Sequence, residues 1–310
     1  MSVNKIVDMT LKALSRRIDV KKHYKLYRRM LSAVHHHFLK RFYHTWDHQI
    51  ILGDHVIPVR IFSPSRTGDF PLLVFFHGGG WVLGNIDSYS KVCTNLAKGT
   101  NRIVVSVDYR LAPEHPFPAA LDDCYRATLE IFFNAALFGA KPEEITLVGD
   151  SAGANLAAAV SLMARDRGEF LPSKQILIYP ATYDDHSPKS PFPSIRENGT
   201  GYILTAQRLC DYMDLYKGDN KDLKSPYFAP LLAEDFTCQP ATLVITAQYD
   251  PLRDEGEAYG QKLKEAGNDA HIYRLPDAQH GFFTLSPRLP QVQKCYQIIN
   301  QFLNDEVIAP

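Results

Sequence analysis

Paired cysteines are missing from this chain. Cys93, Cys124, Cys210, Cys238 and Cys295 are scattered, with no Cys-x-x-Cys among them. Such an odd, unpatterned set points away from a disulfide frame or a zinc site and toward reduced thiols in a cytoplasmic protein. An excess of one charge is missing too: Lys plus Arg and Asp plus Glu each number 34, so no overall field draws the protein to nucleic acid. No apolar run is long enough to span a bilayer, and the N-terminus carries no signal-type apolar core. Internal repeats and low-complexity tracts are also lacking. What is present is ordinary core material. Hydrophobic residues make up 45% of the 310, enough for a large interior, and α/β folds of this length form one unit.

Charge is nonetheless uneven along the chain. Residues 1–45 hold eleven Lys or Arg against two Asp or Glu. Tyr27, Met30, Leu31, Val34, Phe38 and Phe42 fall at helical spacing, which predicts an amphipathic helix with a basic outer face packed on its own protein. His35, His36 and His37 would point in different directions on that helix, so they do not make a metal site.

From residue 46 the pattern changes. Gln49–Leu52 and His55–Phe62 flank Gly53-Asp54 as a hairpin, and Pro58 places the second strand near a sheet edge. Apolar runs then recur at Leu72–Phe76, Ile103–Val107, Ile145–Val148, Gln175–Tyr179, Thr242–Thr246 and His271–Leu275. Runs rich in Val, Ile and Leu without alternation read as strands buried on both faces. Between them lie helical stretches from Ala119 to about Phe138, after Ser151, from Glu255 to Ala266, and from Gln291 to Leu303. Strands alternating with helices predict a mostly parallel sheet covered on both sides. Residues 183–230 break that rhythm. They are turn-rich with a weakly helical centre, Ala206–Tyr216, and are expected to form a lid with the N-terminal helices.

Two motifs carry the chemistry. His77-Gly78-Gly79-Gly80-Trp81 follows the strand that ends at Phe76, and Gly149-Asp150-Ser151-Ala152-Gly153 follows the strand at Ile145. Each alone is also a plain turn. Together, each after a strand, they are the two parts of an acyl-transfer site: a serine raised on a strained strand-to-helix turn, and a side-chain-free loop whose N–H groups can face a developing oxyanion. A serine needs a base, and the base needs an acid to orient it. Asp250, at the end of the strand Thr242–Thr246, and His280, in the loop after Leu275, are the candidates, since both lie at strand carboxyl ends. Asp254, Asp184, Asp185 and His271 are the rivals. The expected oxyanion donors are the backbone N–H groups of Gly78, Gly79 and Ala152, with His77 and Gly80 bracing the loop. No metal or organic cofactor is called for.

These motifs, together with Tyr109–Pro118, Asp250-Pro251-Leu252-Arg253-Asp254-Glu255 and His280-Gly281-Phe282, resemble the hormone-sensitive-lipase-like carboxylesterases of the α/β-hydrolase superfamily over about residues 55–305. The resemblance implies an eight-stranded sheet with helical cap elements, residues 1–45 and an insertion at about 183–230 on a catalytic domain of 46–310. It implies hydrolysis of short- to medium-chain acyl esters, with a small-molecule ester as the partner. A homodimer is an expectation at the level of the family alone. Ala154 stands where the family often has a second glycine. Three other readings share these residues: an acetyl-specific deacetylase or amidase, a lipase working at lipid surfaces through the basic helices, and a hydrolase-fold receptor that binds without catalysis. Receptors of that kind have lost the histidine that stands here at 280.

Overall fold

The computed structural model describes residues 19–35, 44–52, 55–65, 67–219 and 224–307. Gly53 and Asp54, Phe38 and Phe42, and His36 and His37 lie outside them, as do the side chains of Met30, Leu31, Val34 and His35. Helix α1 (Val20–His35) comes first, then strands β1 (His44–Leu52), β2 (His55–Ser63) and β3 (Leu72–Phe76), helix α2 (Ser90–Thr100), β4 (Ile103–Val107), α3 (Ala119–Phe133), β5 (Ile145–Asp150) and α4 (Ala152–Arg167). Strand β6 (Lys174–Ile178) is followed by α5 (Pro193–Asn198) and α6 (Ala206–Lys217), both in the irregular region. The chain then closes with β7 (Ala241–Tyr249), α7 (Arg253–Glu265), β8 (Ala270–Gln279) and α8 (Pro290–Leu303).

The eight strands among the described residues form one sheet in the order β1-β2-β4-β3-β5-β6-β7-β8. The β1–β2 and β2–β4 pairs are antiparallel and every other pair is parallel. Pro58 sits one strand in from the rim, facing Gln49 of the edge strand. Register against β4 begins only at Val59, so the missing proline N–H costs no bond within that pairing.

Period-two alternation divides the interior. On β3, Leu72, Val74 and Phe76 join the core beneath α3, α4 and α7, while Leu73 and Phe75 join the core beneath α2 and α8. On α4, Ala154, Ala157, Ala158 and Ala159 are all buried. Such small side chains let the helix axis lie close to the sheet, directly behind the serine at its head.

Several elements differ from the sequence reading, among them β8, which runs on to Gln279 beside His280. The stretch from Ala119 ends as an α-helix at Phe133 and continues as a tighter turn, Ala135–Phe138, stopped by Gly139 with φ of 70°. β1 begins five residues early, at His44, with Arg60 of β2 bonded to Asp47 at 2.5 Å. Helix α2 has no counterpart among the helical stretches expected from the sequence; Val92, Cys93, Leu96 and Ala97 bury its inner face.

Candidate active site

β5 ends at Asp150, and Ser151 follows with φ 55° and ψ −118°, a conformation that side-chain-bearing residues seldom hold. Two backbone bonds impose it: Ser151 N–H donates to the Ile178 carbonyl at 2.9 Å, and Asn155 N–H donates to the Ser151 carbonyl at 3.1 Å. The flanking glycines are needed for space. A Cβ on Gly153 would stand 2.0 Å from the Phe76 carbonyl oxygen, and one on Gly149 would stand 2.2 Å from the Gly153 oxygen. The helix head is therefore pressed against both β5 and the end of β3, which brings the serine beside the glycine loop.

Ser151 Oγ lies 2.9 Å from His280 Nε2. His280 Nδ1 lies 2.7 Å from Asp250 Oδ2. Asp250 is fully buried, and its other oxygen accepts the Leu252 N–H at 2.9 Å. A carboxylate only accepts, so the histidine donates from Nδ1 and is left with a lone pair on Nε2 facing the hydroxyl. The three residues come from the ends of β5, β7 and β8. The rivals are engaged elsewhere: Asp254 accepts from Ser194 N–H and Arg253, Asp185 accepts from Ser187 N–H, Asp184 pairs with Lys224, and His271 pairs with Asp269 at 3.0 Å.

The glycine loop is pinned from behind. His77 is buried, and its Nδ1 donates to the Gly78 carbonyl at 2.8 Å. Burial pulls its basicity down to a pKa of about 4, so the ring is neutral, protonated on Nδ1. Tyr109 donates to the His77 carbonyl at 2.6 Å and stacks on the ring at 4.3 Å. This gives the Tyr109–Pro118 block a definite contact with the site, and the Ala112 N–H adds a bond to the Trp81 carbonyl at 2.9 Å.

One expected donor is displaced. Gly78 N–H donates to Asp150 Oδ1 at 2.8 Å, so it is turned away from the serine and is not available to an oxyanion. Among the described residues, the N–H groups of Gly79, Gly80 and Ala152 have no acceptor. The peptide unit explains the shift. A carbonyl and the next N–H point in opposite directions across the planar bond, so fixing the Gly78 carbonyl on His77 aims the Gly79 N–H the other way. Gly80 has φ 62°, and a Cβ there would meet the Tyr212 ring at 2.4 Å.

Around these groups is a cavity of about 460 Å³, walled mainly by Trp81, Leu83, Leu204, Leu209, Tyr212 and Val92. Tyr212 and Leu209 come from α6, within the region 183–230. Asn155, buried at the second turn of α4, holds both ends of that region, donating to the Ala181 and Phe228 carbonyls at 2.9 Å each. Helix α1 packs on α6, with Lys21 donating to Asp214 at 2.8 Å. Arg28 reaches past it to the Val82 and Ala112 carbonyls, at 2.7 Å each, and to Glu114 at 3.0 Å. Asn155, Arg28, Tyr109, Tyr89 and Tyr179 were not foreseen as site supports, since their partners lie far away in the sequence. No group of metal-ligating side chains occurs among the described residues.

A sheet of this topology, with a serine on a strained turn after β5 and acid and base after β7 and β8, defines the α/β hydrolases, and the chain belongs to the hormone-sensitive-lipase-like branch of that family. The alpha/beta hydrolase fold model matches residues 73–284. An arylesterase of Saccharolobus solfataricus is 41% identical over 245 residues, covering 79% of this chain and 78% of the relative. An ethyl acetate hydrolase of Pseudomonas putida is 35% identical over 237 residues, covering 74% and 73%. In three dimensions, a hyperthermophilic esterase from Pyrobaculum calidifontis aligns with a TM-score of 0.85 at 36% identity, over 98% of this chain and 99% of that one.

Proposed function

We propose that the protein is a serine carboxylesterase for short- to medium-chain acyl esters. The observation that carries this is the continuous hydrogen-bonded run Ser151–His280–Asp250 beside three N–H groups that have no acceptor among the described residues. His280 Nε2 takes the hydroxyl proton as Ser151 Oγ attacks the ester carbonyl. Asp250 holds the resulting imidazolium through Nδ1–H. The oxyanion is received by Gly79, Gly80 and Ala152, and each such donor is typically worth about 3 kcal/mol of barrier. The tetrahedral adduct collapses, His280 returns the proton to the departing alcohol, and the acyl group stays on Ser151. Water then attacks that acyl-enzyme with His280 again as base, releasing the acid and restoring the serine. No step calls on a metal or organic cofactor.

The cavity supports the chain-length range. Its walls are mainly apolar side chains, and about 460 Å³ is more than an acetyl group fills. Helix α1 and residues 183–230 would act as the cap, since Leu204, Leu209 and Tyr212 line the cavity with Ser151 and α1 packs on α6. The unpaired cysteines, three of them buried, accord with a reducing, cytoplasmic setting. No helix among the described residues is long and apolar enough to cross a membrane.

Hydrolysis of p-nitrophenyl esters from acetate to palmitate, with Ser151→Ala as control, tests the reading. Cleavage of the shorter esters that disappears in the variant is expected. A folded protein inactive on the whole series, or activity that survives Ser151→Ala, would overturn it.

A further inference from the structure

Asp150, the residue before the nucleophile, is a second carboxylate in the site and has no part in the proton path. It is 2% exposed, and no lysine or arginine pairs with it among the described residues. It is nevertheless the most connected side chain near the serine. Oδ1 accepts the Gly78 N–H at 2.8 Å. Oδ2 accepts the hydroxyl of Tyr89 at 3.0 Å and that of Tyr179 at 3.3 Å. These donors come from three places: the glycine loop after β3, the start of α2, and the turn after β6. The Tyr179 ring in turn lies against His280, with centroids 4.7 Å apart, and Tyr179 holds φ of 39°.

We propose that Asp150 is a positioning residue for both halves of the site: it holds the Gly78 N–H from behind, so that the next two amides face the substrate oxygen, and it holds the Tyr179 ring against the catalytic histidine. The inference rests on the esterase reading above. Geometry explains why a carboxylate is used. Three donors converge on two oxygens, and only an acceptor-only group satisfies all three at once. An amide in its place would keep the Gly78 bond but turn N–H donors toward two hydroxyls. Burial makes the charge costly, pushing the Asp150 pKa up to about 6. A carboxylate kept at that cost, with no lysine or arginine paired to it among the described residues, has the character of a functional group rather than of core filling. Space is equally restrictive, since a Cβ on Gly78 would come 2.7 Å from Oδ2.

The test measures kcat and KM on p-nitrophenyl butyrate, and the inhibition constant of a trifluoromethyl ketone, which Ser151 converts to an oxyanionic adduct. Wild type, Ser151→Ala, Asp150→Asn and Asp150→Ala are compared. We expect kcat to fall about 10-fold in Asp150→Asn and about 100-fold in Asp150→Ala, with KM within about threefold. The inhibition constant should rise by the same factor as kcat falls, which loss of general packing would not produce. Folded variants with kcat within about threefold of wild type, or a loss confined to KM with the ketone unaffected, would overturn the proposal. If Asp150→Ala does not fold, the ketone and Asp150→Asn decide it: a rise of about 10-fold supports it and no change overturns it. An inactive wild type would remove the esterase reading first, and this one with it; an active wild type beside unaffected variants removes only this one.

Discussion

Replacing Asp150 by asparagine should raise the protein's stability relative to wild type as the pH rises, even as it slows the enzyme. An ordinary aspartate has a pKa of 3.8; burial, partly offset by the Tyr89 and Gly78 hydrogen bonds, brings this one to about 6. The folded state therefore binds the proton more tightly than the unfolded chain does. Stability from this group is fully present below about pH 4 and is lost as the pH passes through 6. A difference of roughly two pH units corresponds to ~3 kcal/mol. Asparagine has no proton to lose and escapes that loss. With an unfolding entropy of ~0.65 kcal/mol/K for a chain of 310 residues, the wild type should lose about 5 °C relative to the variant between acid and mildly alkaline pH. By pH 4.5 roughly a third of that loss has already occurred, so calorimetry of both proteins at about pH 4.5 and pH 8 should show the gap change by about 3 °C, a comparison that cancels the weaker hydrogen bonds of the amide. A gap that does not change with pH, or a variant that falls behind as the pH rises, would refute the reasoning.

Asp250→Asn keeps the shape of the acid but removes the charge that orients His280 Nδ1, and kcat should fall by about 10⁴ with little change in KM; stopped assays on the butyrate ester measure it. Gly153→Ala drives a Cβ to 2.0 Å from the Phe76 carbonyl, backbone that cannot yield, so loss of soluble protein or of more than about 4 kcal/mol is expected in a denaturant titration. Leu209→Ala opens the apolar wall of the cavity, and each further methylene a substrate buries there should raise kcat/KM about fourfold, from ~0.8 kcal/mol; an unchanged ratio of octanoate to butyrate hydrolysis would count against that wall receiving the acyl chain. Arg28→Met removes the bonds to the Val82 and Ala112 carbonyls, at a cost of roughly 2–3 kcal/mol, and should lower kcat through the loosened glycine loop, read in melting and kinetic assays together.

The parts of this molecule that the sequence makes plain are those with local signatures. Ser151, Asp250 and His280 each follow an apolar run that reads as a strand, which places them at one sheet edge. The runs before Ser151 and Asp250 are buried as expected, whereas the run before His280 is only partly buried because β8 is an outermost strand. The oxyanion loop was legible as a loop, but the choice among its amides was not. That choice depends on Asp150 capturing the Gly78 N–H across 72 positions, and no local rule contains such a bond. Helix α2 was hidden for a related reason. Ser90–Thr100 carries Gly99, two threonines and no capping side chain, so its helicity comes from burying Val92, Cys93, Leu96 and Ala97 rather than from propensity. The early part of β1 is polar because it lies at the rim, where alternation with a buried face is weak and Arg60 of β2 does the anchoring.

The histidine hangs from the last strand of the sheet, which is bonded on one side only, and it meets the serine across 129 positions. During synthesis, which runs from the N-terminus, the nucleophile and its glycine loop are thus made long before their base. Until β8 docks on β7, the serine is an ordinary hydroxyl, and an unfinished chain is chemically inert toward the esters around it. The same arrangement makes the rim a switch for damage. A cut or fraying that frees β8 removes the base and silences the enzyme.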